Sequence, residues 1–410
     1  MESLGISSKQ KAILEFPYTG YDALICDGSV RSGKTTFMAL SFVLWAMGAF
    51  DGQSFAFCGK SVGSVERNVL KPLQSITYLQ NQFTMRYSRS EHMLTITRGK
   101  KRNFFYLFGG KDERSQDLIQ GITLAGVLLD EVALMPQSFV NQALARCSVT
   151  GRKLWFNCNP ANPLHWFRQE WLLKLDQKRA MHLHLTMDDN PGLAEEVKEG
   201  YKAMYSGVFY QRYILGLWVM AEGVIYDMFD QNENVYRSEG RPVDLEWLGT
   251  RYIAVDYGTT NPMRFLEIYD YKGTIYVDRE YSWDSKKQYR QKTDREYGDD
   301  FMEFIGSKPI SAVYVDPSAA SFIAELESRG VYVIEADNDV NDGIRRTASL
   351  IGRRHILISS RCTELLDEMG TYAWDEKAAQ RGEEKPIKQA DHSCDALRYF
   401  VNSLPDWRFE

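Results

Sequence analysis

One segment constrains this chain more than any other. Ala23-Leu24-Ile25-Cys26-Asp27 is a short apolar run that leads without a break into Gly28-Ser29-Val30-Arg31-Ser32-Gly33-Lys34-Thr35, and an apolar helical stretch from Thr36 to Met47 follows. Strand, glycine-bearing loop and helix in that order form the context in which G-x-x-x-x-G-K-[ST] binds phosphate. The glycines let the backbone curl so that successive N–H groups face phosphate oxygens, with the positive end of the helix behind them. Lys34 can reach the β- and γ-phosphates of ATP, and the Thr35 hydroxyl can hold Mg²⁺. The nucleotide-binding set expected here is Gly28, Arg31, Ser32, Gly33, Lys34, Thr35 and Thr36.

The rest of the N-terminal half alternates strands and helices. Ser54 to Cys58 and Phe104 to Phe108 read as strands. Gly126-Val127-Leu128-Leu129-Asp130-Glu131 is an apolar run that delivers two acids to a sheet edge. Asp130 would hold the Mg²⁺ shell, and Glu131 would polarise the attacking water as general base. The next strand, Lys153 to Phe156, ends in Asn157-Cys158-Asn159-Pro160. Asn157 or Asn159 could sense the γ-phosphate, or the segment could be a polar turn. Near the start of the chain, Gln10 could meet an adenine edge, which needs a donor and an acceptor at once. A surface glutamine at a helix start is the alternative.

Alternation is lost between Trp218 and Trp247, where Glu222-Gly223 and the polar stretch from Asp230 to Asp244 read as a linker. Tyr252-Ile253-Ala254-Val255-Asp256-Tyr257-Gly258 is then an apolar strand ending in a carboxylate. Met263 to Asp270 and Thr274 to Tyr281 follow as strands, joined by a Lys272-Gly273 turn. Three sequential antiparallel strands, the first carrying an acid, open an RNase H-like domain. Ser311 to Asp316 is a further strand ending in an acid, followed by a helical stretch to Arg329 and a strand from Val331 to Glu335. A last helix, Ala390 to Ser403, has one apolar face. Asp391 and Asp395, four apart, share a side of it, with His392 between them. Asp256, Asp316, Asp391, His392 and Asp395 could converge on two divalent ions, one activating water and the other stabilising the leaving oxygen. Oxygen ligands favour Mg²⁺ or Mn²⁺. The catalytic acids would be Asp256, Asp316 and Asp395.

Composition excludes several classes. Hydrophobic content of 44% and charged content of 25% are those of a soluble globular protein. The N-terminus lacks a signal-peptide core, and the longest apolar stretch, Phe37 to Phe50, is too short to span a bilayer. The six cysteines are scattered without a CxxC pair, which suits a reducing cytoplasm. A net charge of −6 argues against coating nucleic acid by bulk attraction. Lys100-Lys101-Arg102, and the denser cluster Lys286, Lys287, Arg290, Lys292 and Arg295, are local basic surfaces or solvated loops. His182 and His184 alternate on a strand-like run, with no third ligand evident for Zn²⁺.

Taken together these residues resemble the large terminase subunit of tailed bacteriophages. The resemblance rests on Arg31 within the phosphate loop, Leu128-Leu129-Asp130-Glu131, Asn157-Cys158-Asn159-Pro160, Asp189-Asn190-Pro191 and Gly216-Leu217-Trp218 with Glu222-Gly223. It rests also on Val255-Asp256-Tyr257-Gly258 and Asp391-His392-Ser393-Cys394-Asp395-Ala396. It implies an α/β protein: a P-loop ATPase (RecA/ASCE-like) domain over 1–220, a linker over 221–245, and an RNase H-like nuclease domain over 246–410. It implies an ATP-driven motor that docks as a homo-oligomeric ring on the portal protein, threads double-stranded DNA into a procapsid and cuts the concatemer. A small terminase subunit would be a partner, no membrane would be involved, and the setting would be the cytoplasm of an infected bacterium. Where some relatives carry a trans-acting arginine, this chain has Gln120 before Gly121, which leaves Arg114, Arg146 and Arg152 as candidates. A host P-loop helicase or repair nuclease is the alternative, but it would need a second RecA-like lobe. A structural adaptor would not need Lys34, Glu131 and the acids.

Overall fold

The computed structural model describes residues 5–111, 115, 119–205, 207–258 and 261–409. The chain divides into two units, Met1–Gly200 with Tyr210–Met220, and Tyr201–Phe209 with Ala221–Glu410.

The first unit is built on β1 (Ala23–Gly28), β2 (Ser54–Gly59), β3 (Thr84–Ser88), β4 (Met93–Arg98), β5 (Lys101–Gly109), β6 (Gly126–Leu129), β7 (Lys153–Asn157) and β8 (Ala180–Leu185). They form one sheet in the order β3-β4-β5-β2-β6-β7-β1-β8. The six strands from β5 to β8 in that order run parallel, while β3 and β4 add an antiparallel hairpin. Every residue of β1 is buried, as a strand covered on both faces requires. Leu24 and Cys26 join the core under helices α1 (Ser8–Glu15) and α2 (Lys34–Ala49), while Ala23 and Ile25 join the core under α3 (Gln137–Arg146). Because β7 lies between β1 and β6, its polar end falls between the phosphate loop and the acids that follow β6. Lys100 and Lys101 sit at the β4–β5 hairpin turn.

The second unit contains β9 (Val235–Tyr236), β10 (Thr250–Asp256), β11 (Met263–Tyr271), β12 (Thr274–Trp283), β13 (Ala312–Val315), β14 (Val333–Glu335) and β15 (Ile356–Ser359). Their order is β14-β13-β10-β11-β12-β15-β9. β10, β11 and β12 are antiparallel neighbours, and β13 and β14 run parallel beside β10, which is the RNase H-like arrangement. Helices α4 (Asp294–Ile305) and α5 (Ala320–Ser328) cover one face through Phe301, Phe322 and Leu326. Then come α6 (Val340–Gly352), α7 (Thr363–Thr371) and α8 (His392–Asn402). Phe400 of α8 packs on Tyr252 and Tyr314 of the opposite face.

The linker reading of 221–245 is corrected. This segment is part of the second unit: β9 pairs with β15, the Ile225 N–H donates to Tyr372 O at 2.7 Å, and Tyr226 is buried. Its polar composition hid two aromatic anchors, Tyr226 and Tyr236. Residues 201–209, assigned from sequence to the first domain, also pack with the second unit. No described helix is long and apolar enough to cross a membrane.

The entry to the phosphate loop has no room for a side chain. Gly28 has φ +129°, and a Cβ there would lie 1.8 Å from Leu185 O. Gly28→Ala is therefore expected to lower the stability of the full chain by more than about 2 kcal/mol. An unchanged melting temperature would contradict this packing.

Candidate active sites

Three residues with positive φ, Gly28 (129°), Arg31 (55°) and Gly33 (84°), curl the loop in front of α2. The Asn190 amide donates to Arg31 O at 2.8 Å and holds the outer bend. Lys34 Nζ donates to Ser29 O at 2.6 Å, Gly28 O at 3.3 Å, Ser32 Oγ at 3.2 Å and Asn159 Oδ1 at 3.2 Å. Burial lowers the Lys34 pKa from its ordinary value. Thr35 Oγ1 donates to Asp130 Oδ1 at 3.0 Å, and Asn157 Nδ2 reaches Thr35 Oγ1 at 2.7 Å and Asp130 Oδ1 at 2.5 Å. Burial raises the Asp130 carboxyl above its usual range, against hydrogen bonds from Asn157 and Thr35. Glu131 follows in left-handed backbone, φ 57°. Both asparagines thus belong to the site, Asn157 on Thr35 and Asp130, and Asn159 on Lys34. Thr36 is exposed on the first turn of α2. Gln10 closes a capping box at the start of α1, its Oε1 accepting from Ser7 N at 3.1 Å. Its Nε2 is buried without a hydrogen-bond partner and lies 3.0 Å from where a Gly33 Cβ would stand. Asn157 Oδ1 is likewise buried and unpartnered. A spare donor and a spare acceptor around a phosphate loop fit a nucleotide with Mg²⁺.

In the second unit, β10 and β13 are parallel neighbours with Val255 opposite Val315, so Asp256 and Asp316 leave the sheet side by side. Asp391 is the N-cap of α8, and His392 and Asp395 lie in its first turn. The His392 ring Nδ1 is 2.9 Å from Asp256 Oδ2. Burial, opposed by His392 and reinforced by the charges of Asp395 and Asp391, pushes the Asp256 carboxyl up to about 6. Asp395 is held by Lys388 Nζ at 3.0 Å, Arg398 Nη2 at 3.0 Å and the Tyr372 hydroxyl at 3.3 Å. Asp391 has Lys388 Nζ at 3.4 Å, yet its Oδ2 is buried without a hydrogen bond. Asp316 accepts from Ser318 N at 2.7 Å and Asn338 Nδ2 at 3.3 Å. Despite burial, these bonds and one from Tyr399 keep it below the usual carboxylate range. The Tyr399 phenol, raised chiefly by burial, also feels Asp256, Asp395 and Asp316 together.

The structure therefore gathers Asp256, Asp391, His392 and Asp395, and joins Asp316 to them through Tyr399. Among the described residues, no three His, Cys, Asp or Glu side chains are arranged to hold a metal ion. The Lys388 ammonium stands between Asp391 and Asp395 instead. The Asp391 Oδ2, which has an ion-pair partner in Lys388 but no hydrogen bond, and the carboxylate oxygens around it suit a hard divalent cation. Sequence reasoning missed Lys388, though it sits three and seven residues before the two acids it holds. It also missed Glu368 on α7, which accepts from Ser393 N at 2.6 Å and Cys394 N at 3.0 Å and so caps α8. Burial pushes its carboxyl up to about 7. A glutamate inside an ordinary amphipathic helix carries no local sign of that role.

Other expectations fare differently. His182 and His184 both point to Asp27, at 2.8 and 2.9 Å. In the basic cluster, Lys292 pairs with Asp300 and stacks on Trp283, and Arg290 pairs with Glu296. Lys287 lies 4.0 Å from Asp284, and Lys286, Lys287, Arg290 and Arg295 are all exposed. Arg146 ends α3 and Arg152 lies in the turn before β7, while Arg114 lies outside the described residues.

A phosphate-loop site on one sheet and an acid-lined RNase H-like centre on the other define a two-unit ATPase and nuclease. Residues 25–232 match the family described as terminase large subunit, T4likevirus-type, N-terminal. Among solved structures, the large terminase from a thermophilic bacteriophage is 53% identical, covering 98% of this chain and 99% of its own, with a TM-score of 0.92. The same phage terminase in complex with ADP is 52% identical with a TM-score of 0.91, again over 98% and 99% of the two chains. In complex with ATP-γ-S it is 51% identical with a TM-score of 0.90, over 98% and 99%. The chain belongs to the family of large terminase subunits. No curated relative matches it.

Two outcomes follow from the acid cluster. The folded Asp256 pKa, about 6, lies above the ordinary 3.8. Protonation therefore favours the folded state: this stability is complete below about pH 4 and is lost as pH rises through 6. In chelator, Asp256→Asn should raise the melting temperature at pH 8, by up to about 3 kcal/mol of stability, and should leave it unchanged at pH 4. A drop at pH 8 would mean the carboxylate is a net structural bond. Lys388→Met should tighten Mn²⁺ binding in calorimetric titration, since it removes a cation held on the same oxygens. Weaker binding would show that the ammonium does not compete.

Proposed function

We propose that this large terminase subunit drives packaging with ATP at Gly28–Thr36 and cuts DNA with divalent ions at Asp256, Asp316, Asp391 and Asp395. The observation that carries the reading is the Thr35–Asp130–Asn157 triangle beside Lys34, which brings residues from the ends of β1, β6 and β7 to one point. As a member of its family the chain is a DNA-packaging motor subunit, an ATPase and a nuclease. The thermophilic phage terminase solved with ADP and with ATP-γ-S supports the choice of nucleotide.

In the ATPase site, Lys34 would exchange Ser29 O for phosphate oxygens, and Thr35 with Asp130 would hold Mg²⁺. Glu131 accepts the proton of the attacking water. Asn157 touches both Thr35 and Asp130, so a change at the phosphates moves the end of β7. Gln10 offers its free Nε2 donor to the base. In the nuclease site the acids would hold Mg²⁺ or Mn²⁺, which would activate water and stabilise the leaving oxygen. His392 orients Asp256, and Lys388 and Arg398 offset the charge of Asp395. Lys286, Lys287 and Arg295 meet DNA phosphates. The partners are double-stranded DNA, the portal protein and the small terminase subunit, within a homo-oligomeric ring in the cytoplasm of an infected bacterium.

Glu131→Ala in the full chain should reduce ATP hydrolysis by about 10²–10⁴-fold, and Lys34→Ala should abolish it. Metal-dependent plasmid cutting without ATP should persist in both. Loss of cutting in both variants would mean that the two chemistries share residues.

A further inference from the structure

Asp27 is the last residue before the phosphate loop, and its side chain is buried. Its Oδ1 faces two rings of β8, His182 Nε2 at 2.8 Å and His184 Nδ1 at 2.9 Å. Its Oδ2 accepts from the Trp218 indole N–H at 2.7 Å. The segment that carries Trp218 is pressed onto the loop at further points. Val30 N donates to Tyr213 O at 2.8 Å, and Gly216, at φ +71°, passes so close that a Cβ would lie 3.0 Å from Gly28 Cα and 2.8 Å from His184 Cε1. Neither the phosphate chemistry nor a metal accounts for these residues.

Lys34 makes no ion pair with this carboxylate but lies within its field, and its Nζ reaches the carbonyl of Gly28, next to Asp27, at 3.3 Å. Its hydrogen bonds go to Gly28, Ser29, Ser32 and Asn159 rather than to Asp27. Hydrogen bonds from the three rings hold the Asp27 carboxyl below its usual range despite burial, so it stays a carboxylate. A buried carboxylate oxygen without a donor draws in any cation within reach.

We infer that Trp218, with His182 and His184, is a positioning residue for the ATPase reaction: it occupies the Asp27 carboxylate so that Lys34 stays available to phosphate. The inference rests on the reading of Gly28–Thr36 as the ATP site. Opening Oδ2 lets Asp27 capture Lys34 in competition with phosphate. The defect belongs to a charge, and removing that charge repairs it.

The test measures ADP affinity of the full chain with Mg²⁺ by calorimetry, with a melting curve for each variant. Trp218→Phe keeps a ring in the core and loses the N–H. Its ADP Kd should rise about tenfold, the worth of one charge-assisted hydrogen bond. Adding Asp27→Asn should return the Kd to within about threefold of the parent, because the two changes couple through one charge. A purely structural clamp predicts that the double variant binds no better than Trp218→Phe alone, and that result overturns the inference. Unchanged affinity in Trp218→Phe overturns it as well. A parent chain that binds no ADP would instead defeat the underlying assignment of the ATP site. Should Trp218→Phe fail to fold, His182→Leu removes a different donor, and the same loss and the same repair by Asp27→Asn are expected.

Discussion

Buried carboxylates at the ends of parallel strands set the terms for the rest of this structure. Asp27, Asp130 and Asp256 each end or follow an apolar strand, and each is buried. Leaving such a charge without partners in a protein interior costs several kcal/mol, so every one of them recruits donors from remote sequence. Asp130 takes them from Thr35 and Asn157, Asp256 from His392, and Asp27 from β8 and Trp218. Strand order decides which donors are within reach. With β7 between β1 and β6, the Asn157 amide can bridge the loop threonine and the acid; with β1 beside β6 it could not. With β13 beside β10, Asp316 leaves the sheet next to Asp256. Topology and chemistry are therefore one requirement in both units.

What was legible in the sequence was local. The apolar run before Gly28, the loop itself, and the strand that ends in Asp130 and Glu131 are contiguous, and each signals by residue type and spacing. The same holds for β10 to β12 and for the apolar face of α8. What was hidden depends on pairing. β15 has four residues and β9 two, each too short for a periodic pattern to appear. The segment 221–245 is polar enough to pass for a linker, and it is the burial of Tyr226 and Tyr236 and the pairing of β9 with β15 that show otherwise. The β3–β4 hairpin has no strong turn signal and half-exposed strands. Glu368 acts across the fold by capping α8, and Lys388 acts locally by spanning two acids three and seven residues on, and spacing alone distinguishes neither from surface residues. In the cluster from Lys286 to Arg295 the sequence counts five cations, but three have partners in Asp284, Glu296 and Asp300.

Each site also keeps a lysine bonded to its own chain. Lys34 lies on the carbonyls of its loop, and Lys388 lies between Asp391 and Asp395. A polyanion or a divalent ion arriving at such a site does not enter a field of uncompensated charge. It exchanges one set of charge-assisted contacts for another, so net affinity reflects a difference between two strong interactions. Small changes in the groups that hold each lysine are then amplified in ligand affinity. The two sites differ in sign. On the proposed function, phosphate would take Lys34 as its partner, whereas a divalent cation would have to displace Lys388. The residues that surround each lysine therefore have opposite tasks: those around Lys34 must not hold it too tightly, and those around Lys388 must let it go. In the role inferred for them, the three rings on Asp27 would serve the first task. For the second, Lys388 is the exposed member of its cluster, with 65% of its side chain open to solvent against 4% and 6% for the two aspartates it holds. It can swing outward at little cost, while the buried acids stay where the fold has placed them.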